Sequence, residues 1–212
     1  MLLRRPSAPG IETINDLDGF VANAWRAILH DPDATAHAAD WPSNENDLHA
    51  RHAWLVQQRV DLQARLEGDP EFFDAKIAGW WLWGVSQWIG SGFCSGAGGW
   101  VSVDGKRVHL GNTGQGVIRK RVHLGDAADC AAGTGAAGLL EWMRALSLRL
   151  RRVRVCSGDW ARILTPAALA ASASVSGVRG IFLDPPYDMG ERNADCYAVD
   201  APNIARDVRA WC

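Results

Sequence analysis

The hydrophobic positions in the first half of the chain predict one short strand and three helices. Residues 11–15, "IETIN", have the composition of a strand. Phe20, Ala24 and Ile28 then recur every four residues, which predicts an amphipathic helix. A polar link, "PDATAHAADWPSNEND", separates this helix from a second one at 48–66. The third, within 71–90, is apolar on nearly all sides, which predicts burial.

The sequence pattern in the second half of the chain predicts a glycine-rich hairpin followed by alternating helices and strands. A glycine-rich segment at 90–138 contains two similar stretches, at 106–112 and 120–126, which predict a hairpin. After it, a helix, the strand "RRVRVC", a weak helix, the strand "GVRGIFL" and a last helix follow in turn. Strands and helices that alternate at both ends of the chain predict an α/β fold with a parallel sheet covered by helices. The middle of the chain, about 41–130, is predicted to be an insertion.

Charge and composition exclude several classes of protein. The net charge is −2, so any nucleic-acid contact requires a local basic patch. No uncharged apolar segment reaches membrane-spanning length, and five widely spaced cysteines without a CxxC motif argue against a disulfide framework or a zinc site. We therefore expect a cytoplasmic protein without metal and without membrane contact.

Three predicted strands end at acidic residues: Asp16, Asp159 and Asp184. Ligands of parallel α/β sheets bind beyond the carboxyl ends of the strands, where a carboxylate commonly accepts hydrogen bonds from ribose hydroxyls. Asp16 by itself is better explained as a helix cap, and Asp159 by itself is ambiguous. The three together favour a ligand that contains a nucleoside.

The motif DPPY at 184–187 has a more specific chemical interpretation. A carboxylate at Asp184 and the Pro185 carbonyl can accept both N–H groups of an exocyclic amine, which frees the nitrogen lone pair for alkylation. Pro185 and Pro186 fix φ, and Tyr187 offers a face on which an extruded base can stack. Such a site works by positioning and electrostatics, without metal. The alternative is a proline-rich turn with Tyr187 packed inside the protein.

Four segments, "ETINDLDGFVANAWRAI", "AGWWLWGVSQWIGSGFC", "VRVCSGDW" and "IFLDPPY", resemble in that order the Dam-like DNA adenine-N6 methyltransferases. The resemblance implies a Rossmann-like domain at 1–40 and 131–212, with a target-recognition domain inserted at 41–130. It also implies S-adenosylmethionine as methyl donor and double-stranded DNA as partner, with a restriction enzyme as a possible companion. The implied donor-binding residues are Asp16, Asp159, Trp160 and Asp184, and the implied residues at the target adenine are Asp184, Pro185, Pro186 and Tyr187.

The chain departs from the family at both ends. The glycine-rich F-x-G-x-G loop expected before the first strand is absent, and the sequence stops one helix after DPPY. The methyltransferase domain is therefore expected to be incomplete, with a complementary fragment as a conceivable partner. Two alternatives stay open: a non-catalytic DNA-binding remnant, and a methyltransferase that acts on RNA adenine or on cytosine N4.

Contacts with DNA are expected from the inserted region. Ser91 lies where the family's target domain begins. The glycine-rich hairpin adds a basic cluster suited to phosphate contact, although a solvated loop explains it equally well. The candidate residues are Ser91, Lys106, Arg107, Arg119, Lys120 and Arg121.

Other conspicuous residues have plainer interpretations. The tryptophans of the 71–90 helix are predicted to form core rather than a stacking platform for bases. His49 and His52 are predicted to be a surface pair rather than metal ligands, because no cysteine accompanies them. Arg152 and Arg154 are predicted to face solvent or to pair with acids.

Overall fold

The computed structural model describes residues 12–88, 92–94, 100–103, 106–109, 136–171, 180–185 and 203–212, with only the backbone at 100–103, 106–109, 136–137 and 170–171. The described part is an α/β structure in which helices predominate. Its elements are β1 Glu12–Asp16, α1 Gly19–His30, α2 Pro32–Ala39, α3 Glu45–Gly68, α4 Ala75–Gln87, β2 Trp100–Val103, β3 Lys106–His109, α5 Ala136–Leu150, β4 Val153–Ser157, a 3-10 helix Trp160–Leu164, α6 Pro166–Ala171 and α7 Ile204–Trp211.

Strands β1 and β4 are parallel neighbours although more than 130 residues separate them. Glu12 pairs with Val153 and Asp16 with Ser157, so the two strands end at the same edge. The predicted α/β class with parallel strands is confirmed. The finer assignment, a Rossmann-like methyltransferase sheet, stays a prediction.

The predicted strand "GVRGIFL" is wrong for the residues that the structure describes. Residues 180–185 have no regular secondary structure, and the side chains of Ile181 and Phe182 are 42% and 74% exposed. A strand forms only where a neighbour accepts and donates its backbone hydrogen bonds. Among the described residues β1 and β4 pair only with each other, so the apolar run 181–183 joins no ladder.

Helix α2 lies within the segment that the sequence predicted to be a polar link. The Asp31 carboxylate accepts a hydrogen bond from Ala34 N at 2.9 Å, and Pro32 occupies the first turn. Both features are typical of a helix start. The prediction failed because alanine and aspartate also suit short helices, and α2 gains its stability from packing against α4 and α5.

Two cores hold the helices together. The first unites α1, α3 and α4 around Phe20, Leu55 and Trp83. The second joins α1, α2 and α5 to β4 through Ile28, Met143 and other apolar side chains. Helices α3 and α4 thus share a core with α1, and the predicted domain division at 41 and 131 stays a prediction.

The first core tests two predictions, one about the histidines of α3 and one about the tryptophans of α4. His49 and His52 are buried rather than on the surface, because α3 turns them toward Trp88 and Phe93. Trp83 is fully buried and donates its indole N–H to the Trp41 carbonyl at 2.8 Å. This agrees with the predicted core role of the 71–90 helix. Trp80, Trp81 and Trp88 are partly buried against the same core.

The glycine-rich region contains one described hairpin. Strand β3, which covers the start of the first repeat, pairs antiparallel with β2. The second repeat, at 120–126, lies outside the described residues. None of the helices in the described part of the chain is both long enough and apolar enough to cross a bilayer.

Candidate functional site at the carboxyl edge of the parallel sheet

The ends of β1 and β4 are joined directly by hydrogen bonds. Gly158 N donates to the Asp16 carbonyl at 3.0 Å, and the Asn15 side-chain amide donates to the Gly158 carbonyl at 2.8 Å. The chain segments that leave the two strands are therefore held side by side. Asp16 and Asp159, predicted separately from strand ends, belong to one site.

Asp16 does not cap helix α1. The cap is Asp18, whose carboxylate accepts from Phe20 N at 2.8 Å. Asp16 instead accepts one hydrogen bond, from Asp18 N at 2.9 Å, through Oδ1. Its side chain is exposed, and within the described structure its Oδ2 accepts no hydrogen bond. The interpretation of Asp16 as a simple helix cap is thus wrong, and one of its oxygens is available to a ligand.

Asp18, two residues after Asp16, is the half-buried acid that caps helix α1. Burial raises the pKa of its carboxyl group, while the hydrogen bond from Phe20 N and the positive charge of Arg59 oppose this change. The guanidinium of Arg59 lies 5.7 Å from the centre of the Phe20 ring, so it approaches the start of α1 from the side of α3. Hydrogen bonds from Asp18 N to Asp16 and from Phe20 N to Asp18 hold the turn that presents Asp16.

The other side of the site begins at a sharp turn after β4. Gly158 has φ +137°, a conformation open to glycine but strained for other residues. Asp159 follows, exposed, and its Oδ1 accepts from Ala161 N at 2.9 Å at the start of the 3-10 helix. Within the described structure its Oδ2 accepts no hydrogen bond. The turn thus places a second available carboxylate oxygen at the same edge of the sheet.

An aromatic pair flanks Asp159. The half-buried Trp160 contacts Trp211 of helix α7 edge to face, with ring centres 6.2 Å apart. An indole ring therefore directly follows the Asp159 carboxylate in the chain. This combination suits an adenosine: carboxylate oxygens can accept from ribose hydroxyls and from an exocyclic amine, and an indole offers a face to the base.

The target-base residues are only partly described. Asp184 is exposed and Pro185 half-buried, while Pro186 and Tyr187 lie outside the described residues. In the described part of the chain no hydrogen bond or ion pair joins Asp184 to Asp16 or Asp159. The structure therefore brings together three of the four predicted donor residues, Asp16, Asp159 and Trp160, but does not join them to Asp184 of the DPPY motif.

Most of the predicted DNA contacts lie beyond what the structure describes. Lys106 and Arg107 belong to β3, for which only the backbone is described. Ser91, Arg119, Lys120 and Arg121 lie outside the described residues. Arg152 and Arg154 are exposed as predicted, and the nearby half-buried Arg149 forms an ion pair with the buried Glu12.

Three residues of the site were not predicted from the sequence. Asn15 and Gly158 tie the strand ends together, and Trp211 packs against Trp160. The role of Gly158 could have been predicted from the sequence, since a glycine often marks a turn after a strand. Trp160 and Trp211 are about 50 residues apart in the sequence, and no sequence pattern predicted that their rings would be in contact.

Metal ligands are not grouped in the described residues: no cluster of three or more histidine, cysteine or acidic side chains suited to a metal ion occurs there. Comparison of the chain with protein-family models, with curated proteins and with solved structures finds no match.

Proposed function

We propose that the chain is a cytoplasmic, S-adenosylmethionine-dependent DNA methyltransferase that acts on adenine N6. The observation that carries this proposal is the pairing of the two strand ends, which holds Asp16 and Asp159 at one edge with Trp160 beside them. Asp16 would bind the ribose of the donor, and Asp159 with Trp160 its adenine. The sulfonium methyl supplied by the bound donor is the group that is transferred.

The DPPY motif would bind the base that accepts the methyl group. Asp184 and the Pro185 carbonyl accept the two N–H groups of an extruded adenine, and Tyr187 stacks on its ring. The nitrogen lone pair then attacks the sulfonium methyl, so that the N–C bond forms as the S–C bond breaks, and the nitrogen loses a proton to solvent. Positioning supplies most of the acceleration in such a step.

Donor binding tests the first half of the proposal. We expect titration of S-adenosylmethionine to give heat with the wild-type chain, and D16N and D159N each to weaken binding roughly 10- to 100-fold, as for a lost charged hydrogen bond. Asparagine keeps the oxygen that accepts from Asp18 N or Ala161 N, so the local fold is retained. D61N, which removes an exposed carboxylate on α3 that pairs with Arg65, is the matched control. Equal binding by all four proteins would contradict the proposed donor site.

Methyl transfer tests the second half. Incubation with labelled donor and duplex DNA, followed by mass spectrometry of the nucleosides, should show N6-methyladenine with the wild-type chain and none with D184N. N4-methylcytosine, or methylation of RNA alone, would instead support the other acceptors.

A second candidate follows from the exposed Ile181 and Phe182. Because residues 180–185 form no strand in the described structure, a DNA-binding remnant without methyl transfer accounts for the DPPY segment equally well. DNA binding without heat from S-adenosylmethionine and without methylated product would favour this candidate.

A further inference from the structure

We infer that the chain has a second ligand site, a cleft on one face of the parallel sheet that binds a small phosphate-bearing molecule. The floor is formed by the paired strands, by Thr13 of β1 and by residues 154–157 of β4, with Thr13 directly opposite Arg154. Helices α1 and α3 and the 3-10 helix provide the walls. The cavity volume is about 540 Å³, within the range of roughly 300–1,000 Å³ common for small-molecule sites.

The charge of this cleft is opposite to that of the carboxyl edge. Among the described residues, three guanidinium groups line it, from Arg26, Arg154 and Arg162, and Glu67 contributes one carboxylate. Neither Asp16 nor Asp159 lines it. The edge with its carboxylates therefore favours hydroxyl and amino donors, whereas the cleft favours an anion.

Two of the guanidinium groups are held in place by backbone carbonyls. Arg26 donates to the carbonyls of Asp69 and Phe72, both at 3.2 Å. Arg162 donates to the Ser157 carbonyl at 2.5 Å. Within the described residues neither Arg26 nor Arg162 forms an ion pair. Their charges are positioned but not neutralised, and an arginine fixed in this way matches the oxygens of a phosphate.

The other side chains that line the cleft indicate the class of ligand that it binds. The hydroxyl of Thr13 and the amide of Gln63 lie in the same cleft, together with the apolar Leu66 and Ile163. Polar groups that suit hydroxyls beside arginines that suit phosphate indicate a phosphorylated polyol or sugar of about mononucleotide size. The inference does not depend on methyl transfer, because none of the described residues proposed for donor or target binding, Asp16, Asp159, Trp160, Asp184 and Pro185, lines the cleft.

Cys156 provides a probe inside the cleft, and the exposed Cys212 an internal reference in the same molecule. We expect ribose 5-phosphate to slow the reaction of Cys156 with N-ethylmaleimide, measured by peptide mass spectrometry, and to leave Cys212 unchanged. At about ten times Kd the reaction should slow roughly tenfold, because mass action leaves about a tenth of the sites empty. Ribose without phosphate should not protect, and inorganic phosphate should compete.

Substitutions of the lining arginines test which side chains bind the phosphate. R162Q and R154Q should each raise the Kd for ribose 5-phosphate roughly tenfold or more, as for a lost charged hydrogen bond, and R162K should retain part of the affinity. R152Q removes an equal charge from an exposed neighbour outside the cleft and should bind like the wild type. Since Arg154 is exposed, R154Q is expected to fold even if R162Q does not.

Several outcomes would overturn this inference. Equal protection by ribose, absence of protection by ribose 5-phosphate, or unchanged affinity in both R154Q and R162Q would each do so. Protection by short duplex DNA alone would assign the cleft to a nucleic-acid backbone instead. Loss of methyl transfer with intact protection of Cys156 would refute the proposed function and leave this inference standing.

Discussion

His52 makes the stability of the first core depend on pH. Its ring is 5% exposed and stacks on Trp88 with ring centres 4.8 Å apart and planes inclined by 6°. Phe93 covers an edge of the same ring at 5.4 Å. Burial lowers the pKa of His52 from 6.5 to about 4, with smaller effects from the nearby charges of His49 and Arg59. The imidazole is therefore neutral in the folded chain at pH 7.

The sign and size of the effect follow from linkage. Between the unfolded pKa of 6.5 and the folded pKa of about 4, the unfolded chain binds more protons, so stability falls as the pH falls. Each pKa unit is worth about 1.4 kcal/mol, so the difference of 2.5 units implies a total loss of about 3 kcal/mol, of which about 2 kcal/mol occurs between pH 7 and pH 5. Above pH 6.5 this histidine contributes little further change.

Urea unfolding followed by tryptophan fluorescence at pH 7 and pH 5 measures this loss. H52F keeps a ring over Trp88 but cannot be protonated, so it should lose about 2 kcal/mol less than the wild type over the same interval. H37Q, which changes an exposed histidine on α2, is the control and should behave like the wild type. If H52F lost as much stability as the wild type, the assignment of a buried neutral imidazole would be wrong.

Two further predictions concern the strands and their ends. G158A should cost about 1–3 kcal/mol, because φ is +137° and a Cβ would lie 2.9 Å from Arg162 Nη2. A melting temperature equal to that of G68A, whose Cβ would meet nothing within 4 Å, would contradict this. E12A should cost up to about 3 kcal/mol, because the half-buried Arg149 loses the buried carboxylate with which it pairs, and E12L/R149M should recover much of this loss. An E12A chain as stable as the double variant in chemical denaturation would show that the ion pair is unimportant.

Local patterns were sufficient to predict most of the secondary structure. The repeat of Phe20, Ala24 and Ile28 predicted α1, and the strand "RRVRVC" before a glycine turn predicted β4. These predictions succeed because helix and strand periodicity depends on neighbours in sequence. Helix α2 was missed because its stability comes from contacts with α4 and α5, which its own residues do not reveal.

Contacts between residues far apart in the sequence decided strand formation and side-chain burial where the local pattern was insufficient. The apolar run "IFL" resembles a buried strand, yet Ile181 and Phe182 are exposed, because no described strand lies beside the run to complete its hydrogen bonds. His49 and His52 were expected at the surface, but α3 packs them against Trp88 and Phe93. Burial of a polar residue depends on which face of its helix meets another element, and that is settled only when the helices pack.

The sequence by itself determined the kinds of group that the candidate site contains: acids at the ends of strands, a tryptophan after one of them, and the DPPY motif. Only the tertiary structure decided that Asp16 and Asp159 meet, because parallel pairing of β1 with β4 joins segments more than 130 residues apart. It also decided that Asp18 rather than Asp16 caps α1, and that three arginines share one cleft. Residue type is local information, whereas proximity arises from the cooperative packing of the whole chain.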